Sequence, residues 1–167
     1  LLEEGIEALI IHARTRKEMS KVPANWDAIQ KAVTMRDAMG LHTKIIGNGD
    51  VSSIEDGLTK IEKTGCDGVM VGRGIFGNPW FFKNLAEARS AYLDASWKEQ
   101  RFTYSPSEEE RVKALAEHIH LFHTYLEGKK PYHLMKKHYK SYLPGMKKLR
   151  SLLMQTTNTS EALDLLS

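Results

Sequence analysis

The chain has 167 residues, of which 41% are hydrophobic and 27% charged, and its formal net charge is +3. No apolar run reaches the length of a membrane span, and the single cysteine, Cys66, excludes a disulfide framework or a cysteine-ligated metal cluster within the chain. We therefore expect a globular cytoplasmic protein with no membrane partner, made of one ordinary domain or two small ones.

The first half of the chain alternates predicted strands with predicted helices. Three apolar runs predict short strands, at 7–14, 43–50 and 68–72. Apolar residues at helical spacing predict three helices, at 25–40, 52–65 and 77–93. Asn25 caps the first helix, and a Ser52/Glu55 capping box begins the second.

Short strands that are apolar on both faces and separated by helices are typical of a parallel sheet covered on both sides. Units of this kind occur in doubly wound sheets and in (β/α)8 barrels. Three units cannot close a barrel of eight, so the sheet is either open or part of a larger barrel.

The second half is predicted to be helical. Residues 94–106 lack a clear period and are predicted to be a linker. A Ser107/Glu110 capping box begins a helix that runs to Gly128, and three shorter helices follow. We expect three parts, namely 1–93 as the α/β part, 94–106 as the linker and 107–167 as a small helical bundle.

Polar and glycine residues follow each predicted strand. They are His12, Asn48, Gly49, Asp50, Gly72 and Arg73. The carboxyl ends of parallel strands share one edge of the sheet, where glycines let the backbone approach a ligand and arginine binds phosphate. The alternative is that the glycines only form tight turns. Because three strand ends carry such residues, we favour a site for a phosphate-bearing cofactor.

Charge is concentrated in one short segment. Residues 1–128 carry 16 Lys/Arg and 19 Asp/Glu, whereas residues 129–150 carry eight Lys/Arg and no carboxylate. In the predicted helix 132–143, tyrosines fall on one face and a basic group falls on the other: His133, Lys136, Lys137 and Lys140. This pattern predicts contact with a nucleic-acid backbone, with a solvated surface as the alternative.

The histidines at 118, 120 and 123 lack further ligands, so we expect no metal site.

Four segments together resemble the tRNA-dihydrouridine synthases, most closely their bacterial branch. These segments are IHARTR, NGD, TGCDGVMVGRGIFGNPWFF and MKKHYKSYL. The resemblance runs from the sixth strand of the family's (β/α)8 TIM barrel through its helical C-terminal domain. It implies FMN as cofactor, NADPH as reductant and tRNA as partner: reduced FMN passes hydride to C6 of a uracil, and a cysteine protonates C5.

The resemblance also implies roles for individual residues. His12 would contact the flavin ring, residues 48–50 would line the ribityl and phosphate region, and Gly72 and Arg73 would bind the phosphate. The helical domain would hold tRNA through its basic face. Arg14 and Arg16 would approach either RNA or flavin.

Two departures from the family pattern qualify these expectations. Ala13 stands where the family usually has glycine, and the family's proton-donor cysteine and flavin-binding lysine are expected upstream of Leu1. Cys66 does not match the catalytic position, so we expect no catalytic residue in this chain, no turnover, and weak or absent FMN binding by the 167 residues alone.

Two other functions remain open, an FMN-dependent barrel oxidoreductase of another kind and a non-catalytic RNA-binding module. The sequence does not indicate which uridine is reduced or the oligomeric state.

Overall fold

The computed structural model describes residues 1–167, and its first half contains a three-stranded parallel sheet. The strands are β1 (Ala8–His12), β2 (Lys44–Asn48) and β3 (Gly68–Met70), in the order β1-β2-β3. His12 lies opposite Asn48, which lies opposite Met70. The three strands therefore end along one edge. The predicted parallel sheet is confirmed, and the (β/α)8 barrel stays a prediction.

Three helices accompany the sheet, α1 (Asp27–Ala38), α2 (Ile54–Thr64) and α3 (Leu85–Leu93). The third begins eight residues later than the sequence pattern predicted, because residues 77–84 form turns. Gly77 has φ +64° and Asn78 precedes Pro79, so the first two residues of the predicted range disfavour a helix.

The start of α2 differs from the predicted capping box by one residue. Ser53, not Ser52, caps the helix, because its hydroxyl accepts the Asp56 N–H at 3.1 Å. Ser52 instead donates its N–H to the Asp56 carboxylate at 2.8 Å. The Glu55 carboxylate does not cap the helix; it accepts hydrogen bonds from the backbone N–H groups of Phe102 and Thr103. The predicted Ser52/Glu55 box is therefore wrong.

Only one face of β1 is covered by helices. Leu9 and Ile11 pack against a core that contains Ile29 of α1 and Ile45 of β2. Ile10, which points the other way, is 59% exposed. The expectation that both sheet faces are covered is wrong for this sheet, since the described helices bury the alternate set of strand residues.

Residues of the predicted linker are partly packed. The segment 94–106 contains a short 3₁₀ helix, Ser96–Glu99, and two of its aromatic residues, Trp97 and Phe102, are buried. Both belong to a core cluster with Leu58 of α2. By its contacts the segment 94–103 belongs to a first compact unit, which comprises residues 1–74 and 81–103.

A second compact unit comprises residues 75–80 and 104–167. Its helices are α4 (Glu108–Leu126), α5 (His133–Tyr142), α6 (Lys147–Gln155) and α7 (Thr159–Asp164). The Ser107/Glu110 capping box at the start of α4 is confirmed. The buried core includes Leu115, Ile119 and Tyr139, and the Tyr139 hydroxyl is hydrogen bonded to Tyr132 at 2.5 Å. None of the helices combines the length and the apolar character needed to cross a membrane.

Candidate cofactor site and candidate nucleic-acid interface

The polar residues at the three strand ends surround one cavity. Its volume is about 460 Å³. All six residues that the sequence singled out line it: His12, Asn48, Gly49, Asp50, Gly72 and Arg73. Four further residues complete the lining, namely Arg14, Val51, Ser52 and Gly74. The sequence therefore predicted the centre of this cavity but assigned no definite role to Arg14.

Asp50 joins two arginines at the rim of the cavity. Its carboxylate forms ion pairs with Arg14 and, at 3.4 Å, with Arg73. It also accepts the Ala24 N–H at 2.9 Å. The hydrogen bond from Arg14, followed by that from Ala24, lowers the pKa of Asp50, so the carboxylate stays ionised.

Arg14 is the most fixed charged group of the site. Its side chain is only 6% exposed, and besides Asp50 it donates a hydrogen bond to the Val22 carbonyl at 2.6 Å. The partner carboxylate lies 36 residues further along the chain, so sequence spacing gave no signal for this pair.

Interactions within the protein hold the turn after β2. The Asn48 amide donates to the Met70 carbonyl at 2.8 Å, which ties β2 to the end of β3. The Trp26 indole N–H donates to the Gly49 carbonyl at 2.9 Å. At Gly49 (φ +132°) a Cβ would lie 2.8 Å from the Ala24 Cβ, so the protein itself requires glycine there.

The turn after β3 leaves open space instead. A Cβ added at Gly72 would meet no atom within 4 Å, and the backbone there lies outside the left-handed region. The neighbouring Arg73 side chain is 62% exposed. His12 is exposed as well, and its ring has no hydrogen-bond partner within the chain. Contacts within this chain therefore do not require glycine at position 72.

The residues of this cavity fit a phosphate-bearing cofactor such as FMN. Two guanidinium groups face one carboxylate, so the lining carries a net positive charge. Arginine presents a planar fork that matches phosphate oxygens, and a glycine backbone lets the phosphate come close. This combination of positive charge and open space suits a phosphate attached to an extended organic group.

The predicted basic face of the second unit lies on α5. His133, Lys137 and Lys140 are exposed, and none of them forms an ion pair. The charges of the two lysines are available to a polyanion.

Lys136 differs from the other members of that group. Its ammonium donates to the Met154 carbonyl at 2.9 Å and lies 5.4 Å from the centre of the Tyr132 ring. Hydrogen bonds from Thr157, and more weakly the charge of Lys136, lower the pKa of Glu161. Lys136 therefore contacts α6, a contact that the sequence pattern did not predict.

The three histidines of α4 lie in different surroundings. His123 is hydrogen bonded to Thr159 at 2.9 Å and paired with Glu127. The His118 ring lies 5.0 Å from that of His138, and burial, followed by the charge of His138, lowers the pKa of His118. His120 is exposed.

A parallel sheet whose strand ends form a glycine-rich, arginine-lined cavity defines an α/β protein with a candidate phosphate site at the carboxyl edge. Residues 1–167 match the family model described as dihydrouridine synthase (Dus), so the chain belongs to the dihydrouridine synthase family. The resemblance seen in the sequence motifs is thereby confirmed.

Relatives with assigned names agree with this family. The chain is 36% identical, over 99% of its length, to a "Probable tRNA-dihydrouridine synthase" of Staphylococcus epidermidis and to one of Staphylococcus aureus. It is 35% identical, over the same share, to the "Probable tRNA-dihydrouridine synthase 2" of Bacillus subtilis. In each case it covers 47% of the relative, so the chain spans about half the length of the curated relatives it matches.

Proposed function

We propose that a protein carrying this chain is a tRNA-dihydrouridine synthase, which uses FMN and NADPH to reduce the C5–C6 double bond of a uridine in tRNA to 5,6-dihydrouridine. The observation that carries the proposal is the meeting of all six predicted strand-end residues around one cavity, in a member of the dihydrouridine synthase family. Such an enzyme would work in the cytoplasm, where its tRNA substrate is processed.

The sheet of the first unit is proposed to be part of a (β/α)8 barrel. Its uncovered face carries apolar residues, notably Ile10 and Met70, which are both exposed in this chain. In a closed barrel the alternate strand residues point inward and form a packed core of branched apolar side chains. An apolar sheet face is expected for such an interior and is unfavourable in contact with water.

The residues of the cavity have distinct proposed roles. Gly72 and Arg73 bind the phosphate of FMN, Arg73 through its guanidinium and Gly72 by leaving the backbone accessible. Asp50 orients Arg14 and Arg73, while residues 48 and 49 line the region between phosphate and ring. His12 would contact the flavin ring. When bound, FMN would supply the hydride chemistry for reduction of the uracil at C6.

The helical unit is proposed to bind tRNA. Exposed His133, Lys137 and Lys140 contact phosphates and position the RNA without reading its sequence. Lys136 is proposed to contribute more to the packing of α5 and α6 than to RNA contact, although the sequence pattern grouped it with the others.

The proposal is tested on the full-length protein, by which we mean this chain within a polypeptide of the relatives' length. We expect purified protein to contain stoichiometric FMN, measured by absorbance. We expect NADPH oxidation to depend on unmodified tRNA and the product RNA to gain two hydrogen atoms, measured by mass spectrometry. Arg73→Gln should lose flavin, whereas Arg89→Gln, which removes an exposed arginine of α3 away from the cavity, should retain it.

Two results would replace the proposal by one of its alternatives. A colourless protein that binds tRNA would be an RNA-binding module. A flavoprotein that oxidises NADPH without regard to tRNA would be a barrel oxidoreductase of another kind.

A further inference from the structure

One face of α6 lines two open cavities in the second unit. One cavity, of about 480 Å³, lies at the start of the helix, and the other, of about 450 Å³, lies at its end beside α7. Leu152 lines both, so together they form a single groove along the helix, which we call the α6 groove. Its first end is lined by residues 145–149, and its second end by residues 155, 156, 161, 164 and 165.

The centre of the α6 groove is apolar and exposed. Leu152 is 43% exposed, and Leu165 of α7 is 42% exposed. Leu149 lies three residues before Leu152, on the same side of the helix. Leu153, the next residue, is instead fully buried in the core, so α6 packs against its own unit through a different face. An exposed apolar strip with charged residues at its rim is typical of a surface that binds another protein.

The two ends of the α6 groove carry opposite charges. Lys147 and Lys148 line the first end, and both are exposed and form no ion pair. Glu161 and Asp164 line the second end. Glu161 accepts hydrogen bonds from Thr157, whereas the exposed Asp164 carboxylate forms no ion pair. The groove is therefore positive at one end, apolar in the middle and negative at the other end.

We propose that the α6 groove is a homodimer interface, in which the grooves of two copies face each other in antiparallel orientation. A two-fold axis brings identical surfaces together, so such a surface must be complementary to itself. Rotation about an axis at Leu152 places the positive end of each groove against the negative end of the other. Lys148 then faces the partner's Asp164, and the two Leu152 side chains are buried against each other. RNA is less well suited to this groove, because the carboxylates at its second end repel phosphates.

A charge swap in the full-length protein, measured by sedimentation velocity across the micromolar range, tests this interface. We expect a wild-type dimer whose dissociation constant rises at least about tenfold in Lys148→Glu and in Asp164→Lys, since each change brings like charges together twice. An equal mixture of the two variants should form a heterodimer, because every facing pair then has opposite charges. Lys129→Glu is the control, since it reverses an exposed charge outside the groove and should dimerise like the wild type.

A second variant, Leu152→Lys, places two like charges on the axis and should also raise the dissociation constant at least about tenfold. A wild-type protein that sediments as a monomer overturns the inference, even if Lys148→Glu weakens its binding of tRNA. Mixed charge variants that stay monomeric, or a dimer that tolerates both Lys148→Glu and Leu152→Lys, also overturn it. None of these measurements requires bound flavin or turnover of tRNA, so their outcome is independent of the proposed function.

Discussion

The candidate cofactor cavity of the first unit and the basic face of the second unit both carry positive charge, but they are built differently. In the cavity, Arg14 and Arg73 share the Asp50 carboxylate, and the turn after β2 is fixed by Asn48 and Trp26. On α5, Lys137 and Lys140 extend from a packed helix without partners of their own.

This difference matches the two kinds of ligand that we propose for the two regions. A small cofactor gains affinity when its site is held in the bound arrangement beforehand, because little entropy is then lost on binding. A nucleic-acid backbone presents many equivalent charges, so independent lysines suffice and their contribution depends on salt. Substitutions in the first unit should therefore change whether a cofactor is held, and those on α5 should change the salt dependence of RNA binding.

The largest expected effect concerns the scaffold of the basic face. At Gly77 (φ +64°) a Cβ would lie 2.4 Å from the Ser141 carbonyl carbon and 2.6 Å from the Tyr142 nitrogen, both at the end of α5. We expect Gly77→Ala to lower the free energy of unfolding by about 3 kcal/mol, from backbone strain and overpacking. Gly128→Ala is the matched control, since φ is +74° but a Cβ would meet nothing within 4 Å. It should lower the free energy of unfolding by about 1 kcal/mol, from the left-handed backbone alone. Equal losses in urea unfolding would show that the contact with α5 is unimportant.

The next effect is a pH dependence in the first unit. Burial alone would raise the pKa of Glu55, but hydrogen bonds from Phe102, Thr103 and neighbouring groups outweigh it and lower the pKa from 4.5 to about 2. A carboxyl whose pKa is lower in the folded state stabilises the fold above its unfolded pKa. That contribution is lost as the pH falls from about 4.5 towards 2.

Glu55→Gln should therefore be less stable than the wild type by about 2 kcal/mol at pH 7, with the difference shrinking towards pH 2. Urea unfolding at pH 7 and pH 3 measures this. Glu62 lies on the same helix as Glu55 and forms an exposed ion pair with Lys98. Glu62→Gln should lower the free energy of unfolding by less than about 1 kcal/mol at either pH. A stability gap for Glu55→Gln that does not change with pH would be inconsistent with the lowered pKa.

The smallest effect separates the lysines of α5. The double substitution Lys137→Gln/Lys140→Gln should reduce the slope of log Kd for tRNA against log salt by about 2 and leave unfolding nearly unchanged. Lys136→Gln should instead lower stability by about 1 kcal/mol, through loss of the bond to Met154, with a smaller change in slope. If Lys136→Gln flattened the salt dependence as much as the double substitution, all the lysines would belong to one interface.

The sequence predicted the strands and most helices because apolar periodicity directly reflects burial against a core. It also predicted that His12, Asn48 and Gly72 would meet, since parallel strands bring their carboxyl ends to one edge. The start of α2 was predicted less accurately. Residues 52–56 contain two overlapping capping boxes, and the choice between them depends on Glu55 reaching Phe102, 47 residues away.

The contacts of Arg14 and Lys136 could not be predicted from the sequence for the same reason. A helical wheel places Lys136 with its basic neighbours, but only the packed structure brings the end of α6 next to it. Arg14 owes its fixed position to Asp50 on another strand end. Local pattern thus predicts which elements form, whereas the pairing of individual polar groups depends on contacts between elements.

The central claim is that the carboxyl edge of the sheet holds the phosphate end of a flavin, and Gly72 tests it most directly. A Cβ at this position meets no protein atom, so Gly72→Ala should unfold within about 0.5 kcal/mol of the wild type. We predict that the full-length Gly72→Ala protein, purified without added flavin, loses most of its FMN absorbance because the methyl group occupies the space of the phosphate. A Gly72→Ala protein as yellow as the wild type would contradict this assignment of the site.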